Sequence, residues 1–414
     1  MKILLWHGYL LGGTGSNVYT QAVAREWMRA GHAVTVFCQE PHPEAVDLGG
    51  AAVVRPRLPD GLLPVFVVDR YAGLEARRLG ELTPAERGRY VDANAAALRA
   101  HLPADLVFAN HVLLGAPVAA ATGARFAVKA HGSELEYAMR GDAELAAWGR
   151  RELARAEAVF VGSRHIRAVL EEVVGPVERV VEVPPGVDVE AFVPEARDDA
   201  LRGLLEECRR DPPNPGNLQE RLPDEGNAGR LEAFFAAGGP VVVYFGKLLR
   251  NKGVHLLLEA LPQTGARALV VGFGDYRREL EALAPAGALF TGPLQHRHLA
   301  HLLPLADVAV VPSIFPEAFG MVAAEAAAAG CPPLVARHSG LAEVAAAIES
   351  EYPPARRELA AFATGDAADL AAKLRALIAL EPAEREELGR AARRAVVDRF
   401  SWPAVARRLL EPFH

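Results

Sequence analysis

Two glutamates separated by seven residues, Glu317 and Glu325, offer the clearest chemistry in the sequence. Glu317 follows the apolar run 307–312, which is typical of a buried strand, and Glu325 lies about one turn into a small-residue helix predicted to begin near Met321. Gly320 allows the backbone to approach a ligand closely, and the free N–H groups at a helix start bind anions. The segment is therefore predicted to hold polyol hydroxyls together with a phosphate.

A second loop carries two positive charges on either side of a short turn. Lys247 and Lys252 are five positions apart and follow the strand-like run Pro240–Phe245, with Gly246 between. Two cations on one loop suit a diphosphate leaving group, because they stabilise the negative charge that grows as its bond breaks. The alternative interpretation is a pair of solvated lysines.

Two further loops follow predicted strands in the first half of the chain. The glycine-rich loop 12–17 opens a predicted helix and could cradle a phosphate. It is not a dinucleotide fingerprint, because Gly13 and Gly15 are followed by Val18 where a third small residue is needed. The other loop contains His131, and a single histidine in such a place is usually structural.

Apolar runs of strand length alternate with helix-period segments along most of the chain. These runs are near-continuously apolar, as in parallel strands buried on both faces, and the alternation predicts two doubly wound α/β halves. The polar stretch 194–239 interrupts the pattern and is predicted to be a linker or inserted loop, flanked by short helices around Ala200–Cys208 and Gly229–Ala236. The predicted strands are Lys2–Trp6, Ala33–Cys38, Leu106–Asn110, Phe126–Ala130, Ala158–Ser163, Val177–Val183, Pro240–Phe245, Ala268–Gly272, Ala288–Thr291, Val308–Val311 and Pro333–Val335.

The segment Pro316–Glu325 resembles the signature of retaining glycosyltransferases of family 4. The resemblance implies the GT-B fold, in which two Rossmann-like domains with doubly wound parallel sheets face a cleft and a C-terminal helix crosses back to the first domain. It also implies that Glu317 contacts the donor sugar and that Glu325 binds the ribose. The amides around Phe319, Gly320 and Met321 would serve the sugar and phosphates.

Other segments extend the resemblance over nearly the whole chain except 194–239. The Lys247–Lys252 loop resembles the family's G-R-x4-K-G pattern, with Lys247 where Arg is usual, so that the charge remains but the guanidinium fork does not. His131 would contact the donor sugar near the reaction centre. The remaining donor positions implied are Gly13, Gly15, Gly246, Gly272, Gly274 and Leu294, and the acceptor positions are Ser163 and Glu134.

The implied domains are 1–193 completed by 401–414, a segment 194–239, and 240–400. The implied reaction is transfer of a sugar from a nucleotide sugar, with UDP the expected carrier, to a hydroxyl of a small-molecule or glycan acceptor. Retention of the anomeric configuration would follow from attack on the face that the diphosphate leaves. No D-x-D motif is present, so no metal and no other cofactor is expected.

Charge and cysteine content argue against several other classes of protein. A net charge of −7 does not suit a nucleic-acid partner, and three scattered cysteines form neither a zinc motif nor a disulfide framework. A cytoplasmic enzyme that is at most peripheral to a membrane is therefore expected. The alternatives are another GT-B enzyme such as a nucleotide-sugar epimerase or phosphorylase, a nicotinamide oxidoreductase, and a non-catalytic nucleotide-sugar binder.

Overall fold

The computed structural model describes residues 1–11, 15–66 and 74–414. The chain divides into an N-terminal unit, Met1–Gly186 with Trp402–His414, and a C-terminal unit, Val187–Ser401. Within the described residues, no helix combines the length and the apolarity that crossing a membrane would require.

A seven-stranded parallel sheet forms the centre of the N-terminal unit, in the order β3-β2-β1-β6-β7-β8-β9. The inner strands β6, β7 and β8 are buried along their whole length and are apolar except for Asn110 and Lys129 at the ends of β6 and β7, because helices cover both faces. A separate parallel pair, β4 and β5, was not predicted, because β5 is polar and partly exposed. The strands are β1 (Lys2–Trp6), β2 (Ala33–Phe37), β3 (Ala52–Val54), β4 (Leu62–Val65), β5 (Glu75–Arg78), β6 (Leu106–Asn110), β7 (Phe126–Lys129), β8 (Ala158–Val161) and β9 (Val180–Glu182).

Six α-helices among the described residues up to Gly186 accompany this sheet. Strand β8 ends earlier than predicted because Ser163 caps the helix that follows, accepting a hydrogen bond from the N–H of Ile166 at 3.2 Å. The helices are α1 (Gly15–Arg29), α2 (Pro84–Arg99), α3 (Gly115–Ala121), α4 (Gly132–Glu134), α5 (Ala143–Leu153) and α6 (Arg164–Val174).

The C-terminal unit has a six-stranded parallel sheet in the order β12-β11-β10-β13-β14-β15. Its strands are β10 (Val241–Phe245), β11 (Arg267–Val271), β12 (Ala288–Phe290), β13 (Val308–Val311), β14 (Pro333–Ala336) and β15 (Ala361–Phe362). Its helices are α7 (Arg197–Arg209), α8 (Asn227–Ala236), α9 (Val254–Ala260), α10 (Arg277–Leu283), α11 (His296–Leu302), α12 (Met321–Ala328), α13 (Ser339–Glu351), α14 (Ala367–Ile378) and α15 (Pro382–Phe400).

The stretch 194–239 is not a linker, and this expectation from its polar composition was wrong. Helices α7 and α8 pack into the core of the C-terminal unit through Leu204, Leu231 and other apolar residues. The polar turn between them is tied down by Asp224, whose buried carboxylate accepts two hydrogen bonds from the guanidinium of Arg277 at 2.8 and 2.6 Å. The prolines and glycines of the segment mark turns between these helices rather than a separate spacer.

The last helix, α16 (Trp402–Arg408), belongs to the N-terminal unit. The indole N–H of Trp27 on α1 donates to the carbonyl of Ala406 at 2.9 Å, and Trp402 is 4 % exposed. The chain therefore returns to the first unit at its end, as the resemblance implied.

Both sheets reverse their strand order at one place. In the N-terminal unit this switch point lies between β1 and β6, and in the C-terminal unit between β10 and β13. Ligands of doubly wound sheets bind beyond the carboxyl ends of the strands at such a point. A ligand-binding site is therefore expected among the residues that follow these four strands.

Candidate functional site

The two loops at the switch point of the C-terminal unit bring Lys252 and Glu317 together. The ammonium of Lys252 forms an ion pair with Oε1 of Glu317, and both side chains are partly exposed, at 30 % and 24 %. The loops pack directly on each other, since the N–H of Ile314 donates to the carbonyl of Asn251 at 2.9 Å. Two motifs predicted separately from the sequence thus form one charged pair.

A chain of hydrogen bonds holds the backbone of Glu317 in place. Its backbone N–H donates to Oγ of Ser339 at 2.8 Å, and Oγ lies 2.9 Å from Nδ1 of His338. Nε2 of His338 is 2.7 Å from the carbonyl of Ser313 and must donate to it. In the neutral imidazole, Nδ1 of His338 then accepts the Ser339 hydroxyl, so that both ring nitrogens have a partner.

The loop after Glu317 leads directly into α12. Gly320 has φ +131° and provides no side-chain cap, so the first N–H groups of the helix lack a side-chain partner there. Phe319 is buried, with its ring 5.0 Å from that of Phe400, so only its backbone can serve a ligand. The helix begins at Met321, as predicted, and the role of these residues in binding an anion stays a prediction.

Glu325 lies one turn into α12 and is 9 % exposed. Nε2 of His296, at the start of α11, lies 3.5 Å from Oε1 of this carboxylate. The hydrogen bond to Glu325 raises the pKa of His296 above its ordinary value, with a further contribution from Asp188. His296 was not singled out in the sequence, although it follows β12 at the same end of the sheet.

The predicted glycines Gly246, Gly272 and Gly274 lie in the loops after β10 and β11. They allow these loops to pack closely: a Cβ on Gly272, which has φ +145°, would lie 1.8 Å from the carbonyl oxygen of Gly246. Leu294, in the loop after β12, is 9 % exposed. Close packing explains these glycines without a ligand, so their donor role stays a prediction.

Lys247 presents its side chain to solvent. Its carbonyl accepts the hydroxyl of Tyr244 at 2.7 Å, which fixes the backbone of the loop. Within the described part of the chain, the Lys247 ammonium forms no ion pair, in contrast to that of Lys252. Its charge is thus available to an anion.

In the N-terminal unit, the predicted residues His131 and Glu134 lie together. Glu134 is fully buried and accepts the backbone N–H of His131 at 2.7 Å, while Nε2 of His131 lies 3.0 Å from Oδ1 of Asn110. Burial and the neighbouring His111 hold the pKa of His131 well below its usual value, so its imidazole is neutral. Glu134 positions this loop from within rather than facing solvent.

Three other predicted positions all lie in the N-terminal half of the chain. Ser163 is 2 % exposed and caps α6, which accounts for it structurally. Gly15 begins α1, with open space around the position of a Cβ. Gly13, with Gly12 and Thr14, lies outside the described residues. Their roles in ligand binding stay predictions.

Besides His296, four histidine and serine side chains near these sites were missed. His338 and Ser339 follow β14, and His7 and His111 follow β1 and β6 at the switch point of the N-terminal unit. Each is isolated in the sequence, without a partner at a diagnostic spacing. Their position after a predicted strand was the only available signal.

One group among the described residues has the composition and spacing of a metal site: Cys208, Asp211 and His298. Asp211 already accepts the guanidinium of Arg297 at 2.5 Å and faces Nε2 of His298 at 3.0 Å. Burial raises the pKa of the Cys208 thiol to about 12, which disfavours the thiolate that a metal needs. These contacts describe an internal ion-pair network that joins α7 to α11.

Two family descriptions match separate parts of the chain. "Glycosyl transferase 4-like domain" matches residues 14–186, and "Glycosyl transferases group 1" matches residues 232–395. The second match contains both Lys252 and Glu317. The boundary between the matches agrees with the division into two units.

Curated relatives are enzymes of sugar transfer. Glycogen synthase of Mycobacterium tuberculosis is 35% identical over 181 residues, which are 41% of this chain and 41% of the relative, so the match spans about two fifths of that protein. D-inositol 3-phosphate glycosyltransferase 1 of Catenulispora acidiphila is 29% identical over 83% of this chain and 80% of its own. A GDP-mannose-dependent alpha-mannosyltransferase of Mycolicibacterium smegmatis is 30% identical over 64% of this chain and 58% of its own.

Solved structures share the fold over the full length. A glycosyltransferase from Rickettsia africae has a TM-score of 0.73 at 17% identity, covering 100% of this chain and 97% of its own. HepE of Anabaena, solved in complex with UDP, has a TM-score of 0.68 at 18% identity and covers 99% of both chains. The chain is thus a glycosyltransferase with the GT-B fold, in which a glycosyl transferase 4-like domain is followed by a glycosyl transferases group 1 domain.

Proposed function

We propose that this protein transfers a sugar from a nucleotide sugar, with UDP as the carrier, to a hydroxyl of an acceptor, with retention and without a metal. One observation carries the proposal: Lys252 and Glu317 form an ion pair beside the start of α12, at the switch point of the C-terminal sheet. A cation, a carboxylate and a helix start in one place suit a sugar joined to a phosphate.

Each part of the donor has a partner of matching chemistry in this arrangement. The phosphates would lie against Lys252, Lys247 and the first N–H groups of α12, and the sugar hydroxyls would bind Glu317. Glu325, beside His296, would bind the ribose. The UDP complex of HepE supports uridine, whereas the name of the mycobacterial mannosyltransferase keeps guanosine as the competing base.

The proposed reaction exchanges one C–O bond for another on the same face of the sugar. The bond between the anomeric carbon and the diphosphate oxygen breaks, and the acceptor oxygen bonds to that carbon from the side that the diphosphate leaves. The acceptor's proton passes to the departing phosphate oxygen. The lysines and the helix start stabilise the charge on the diphosphate, which is the role a metal has in other enzymes. Glu317 binds the sugar and forms no covalent bond to it.

Product analysis tests this proposal. The protein would be incubated with UDP-glucose, GDP-mannose or ADP-glucose in the presence of EDTA, with wild type, Glu317→Ala and the exposed surface variant Glu358→Ala compared. We expect one of the donors to release nucleoside diphosphate even in the presence of EDTA and to give an α-configured product. Turnover should fall at least about tenfold in Glu317→Ala and stay unchanged in Glu358→Ala. An inverted product, or turnover of Glu317→Ala within a fewfold of wild type, would refute the assignment. Consumption of donor without an acceptor and with epimerised sugar would indicate an epimerase.

A further inference from the structure

Three imidazoles form a row at the switch point of the N-terminal unit. His7 follows β1 and His111 follows β6, and these strands are paired in the sheet. Their rings stack with centroids 6.0 Å apart, and the ring of His111 lies 4.7 Å from that of His131. No motif accounts for His7 or His111, yet they occupy the place where this type of sheet binds ligands.

The hydrogen bonds of Glu134 determine which nitrogen of His111 carries the proton. Oε1 of Glu134 accepts the N–H groups of His131 at 2.7 Å and Val112 at 3.3 Å. Oε2 lies 3.1 Å from Nδ1 of His111. In the neutral imidazole, Nδ1 opposite a carboxylate oxygen donates to it, and Nε2 then bears a lone pair.

This lone pair has no partner among the described residues. His111 is 2 % exposed, and its Nε2 is a buried polar atom without a hydrogen bond. A buried acceptor left unpaired destabilises the fold, and natural proteins keep few of them. A partner for it would be a donor that the described residues do not provide.

The backbone around His111 is strained in a way that holds the ring in place. His111 has φ +72° and Leu114 has φ +67°, a region that non-glycine residues rarely adopt. Gly115 ends this turn, and a Cβ there would lie 1.9 Å from the carbonyl oxygen of Asn110. Strain of this kind persists at sites where a side chain must be aimed at a ligand.

Besides the histidines, two buried ionisable groups adjoin this row: Glu134, which is paired with His111, and Lys129, whose ammonium donates to the carbonyl of Val183 at 2.8 Å. Burial lowers the pKa of Lys129 to about 7. Burial and the proximity of His111 lower the pKa of His7 to about 3, and the pKa of His131 is also lowered, so neither ring is a cation at neutral pH. The rings of Phe66 and Tyr9 lie 5.1 and 5.5 Å from that of His111. A neutral acceptor between aromatic rings suits a hydroxyl on a carbon skeleton and offers nothing to a phosphate.

We propose that Nε2 of His111 accepts a hydrogen bond from a hydroxyl of an uncharged polyol or sugar, which is the acceptor substrate. The inference rests on the proposed function, because it names the second substrate of the same reaction. His7 and His131 are the uncharged neighbours of this site, and Glu134 keeps the His111 imidazole in the tautomer that accepts. A phosphorylated polyol would find no cation among these three imidazoles.

Two substitutions separate the functions of the two ring nitrogens. His111→Asn keeps a donor where Nδ1 lies and so preserves the bond to Glu134, but it removes the acceptor at Nε2. His111→Gln extends an amide oxygen towards the position of Nε2. His42→Asn, on an exposed side chain of the same unit, is the matched control.

The experiment measures nucleoside diphosphate release from UDP-glucose and GDP-mannose, with myo-inositol, glucose and maltose as probes beside inositol 3-phosphate and glucose 6-phosphate. We expect an uncharged probe to accelerate release. His111→Asn should raise its KM at least about tenfold, while the donor KM stays within about twofold, and His111→Gln should recover part of the loss. Preference for a phosphorylated probe, no acceleration by any uncharged probe, or an unchanged KM in His111→Asn would overturn the inference. The proposed function survives these outcomes if donor hydrolysis in water persists, and fails if no donor is hydrolysed.

The tautomer of His111 can be measured directly, without an acceptor substrate. Long-range ¹H–¹⁵N correlation spectra of the intact protein, with His111→Asn used to assign the signals, should show His111 at neutral pH with a proton on Nδ1 and a bare Nε2. A proton on Nε2 would overturn the inference.

Discussion

The backbone N–H of Glu317 donates to the hydroxyl oxygen of Ser339 over 2.8 Å, although the residues are 22 positions apart. Ser339 adopts φ +47°, which costs a non-glycine residue about 1 kcal/mol or more. The carbonyl of Glu317 is held as well, since it accepts the N–H of Gly340 at 3.0 Å. Both backbone groups of the proposed sugar-binding glutamate are thus positioned by the turn between β14 and α13.

Removing the Ser339 hydroxyl should therefore weaken sugar recognition more than nucleotide recognition. In Ser339→Ala the strained backbone remains while the hydrogen bond to Glu317 is lost, so the loop relaxes. We expect the affinity for the intact nucleotide sugar to fall about 3- to 10-fold, and that for the free nucleoside diphosphate to change less than twofold. Calorimetric titration with both ligands measures the two values.

Ser339→Gly and Ser350→Ala are the controls for this substitution. Glycine relieves the backbone strain but still lacks the hydroxyl, so it should raise thermal stability without restoring sugar affinity. Ser350, on the same helix, bonds only to the local carbonyl of Ala347 and should have no effect. Equal losses for the nucleotide sugar and the free nucleotide would contradict the positioning role.

The exposed ammonium of Lys247 should be exchangeable for a guanidinium. Lys247→Arg keeps the charge and adds the planar fork that suits phosphate, so nucleoside diphosphate affinity should be equal or higher. Lys247→Met removes the charge and should lower that affinity about 3- to 10-fold. The same calorimetric titrations measure these affinities. An unchanged nucleoside diphosphate affinity in Lys247→Met would show that this lysine does not contact the diphosphate.

Much of this architecture could be predicted from sequence because parallel strands buried on both faces leave long apolar runs. Leu106–Asn110 and Val308–Val311 match the structure residue for residue. The helices α7 and α8 were obscured, because the turn between them is rich in proline, glycine and asparagine and hides how Leu204 and Leu231 pack. Strand β5 carries no apolar pattern, since it is not part of a buried sheet.

The candidate site was predicted unevenly for a similar reason. Lys252 and Glu317 belong to recognisable motifs, although only the pairing of β10 with β13 shows that the two side chains meet. Ser339 and His111 are single polar residues whose importance depends on contacts 22 and 23 positions away. Such contacts leave no local pattern, because the fold alone creates them.

The buried His7 should make the N-terminal unit sensitive to acid. Its pKa in the folded protein is about 3 against an ordinary value of 6.5, because burial disfavours the charged form. Between these values the unfolded chain binds more protons, so stability falls by up to about 1.4 kcal/mol for each unit that the pH drops below 6.5. His7→Gln should lessen this acid dependence, whereas the exposed control His42→Gln should not.

Tryptophan fluorescence is suited to this measurement. All four tryptophans, Trp6, Trp27, Trp148 and Trp402, lie in the N-terminal unit. Urea titrations between pH 6.5 and 5 therefore report on this unit alone. The same pH dependence in wild type and His7→Gln would show that His7 does not contribute.

Glu325 should control the titration of His296. The carboxylate raises the pKa of His296, so Glu325→Gln should lower that pKa towards its ordinary value. If Glu325 binds the ribose as proposed, the substitution should also reduce nucleoside diphosphate affinity about 3- to 10-fold. NMR titration of the imidazole and calorimetry measure the two effects, and an unchanged pKa would show that the two side chains do not pair in solution.

The central claim is that Lys252, beside Glu317 and the start of α12, binds the diphosphate of the donor. Calorimetric titration of UDP, GDP and ADP into wild type, Lys252→Met and the control Lys373→Met tests it most directly, because Lys373 is another ion-paired lysine of the same unit. We predict that one nucleotide binds wild type and the control alike, and binds Lys252→Met at least about tenfold more weakly. Binding of none of the three, or equal binding by Lys252→Met and wild type, would contradict the account.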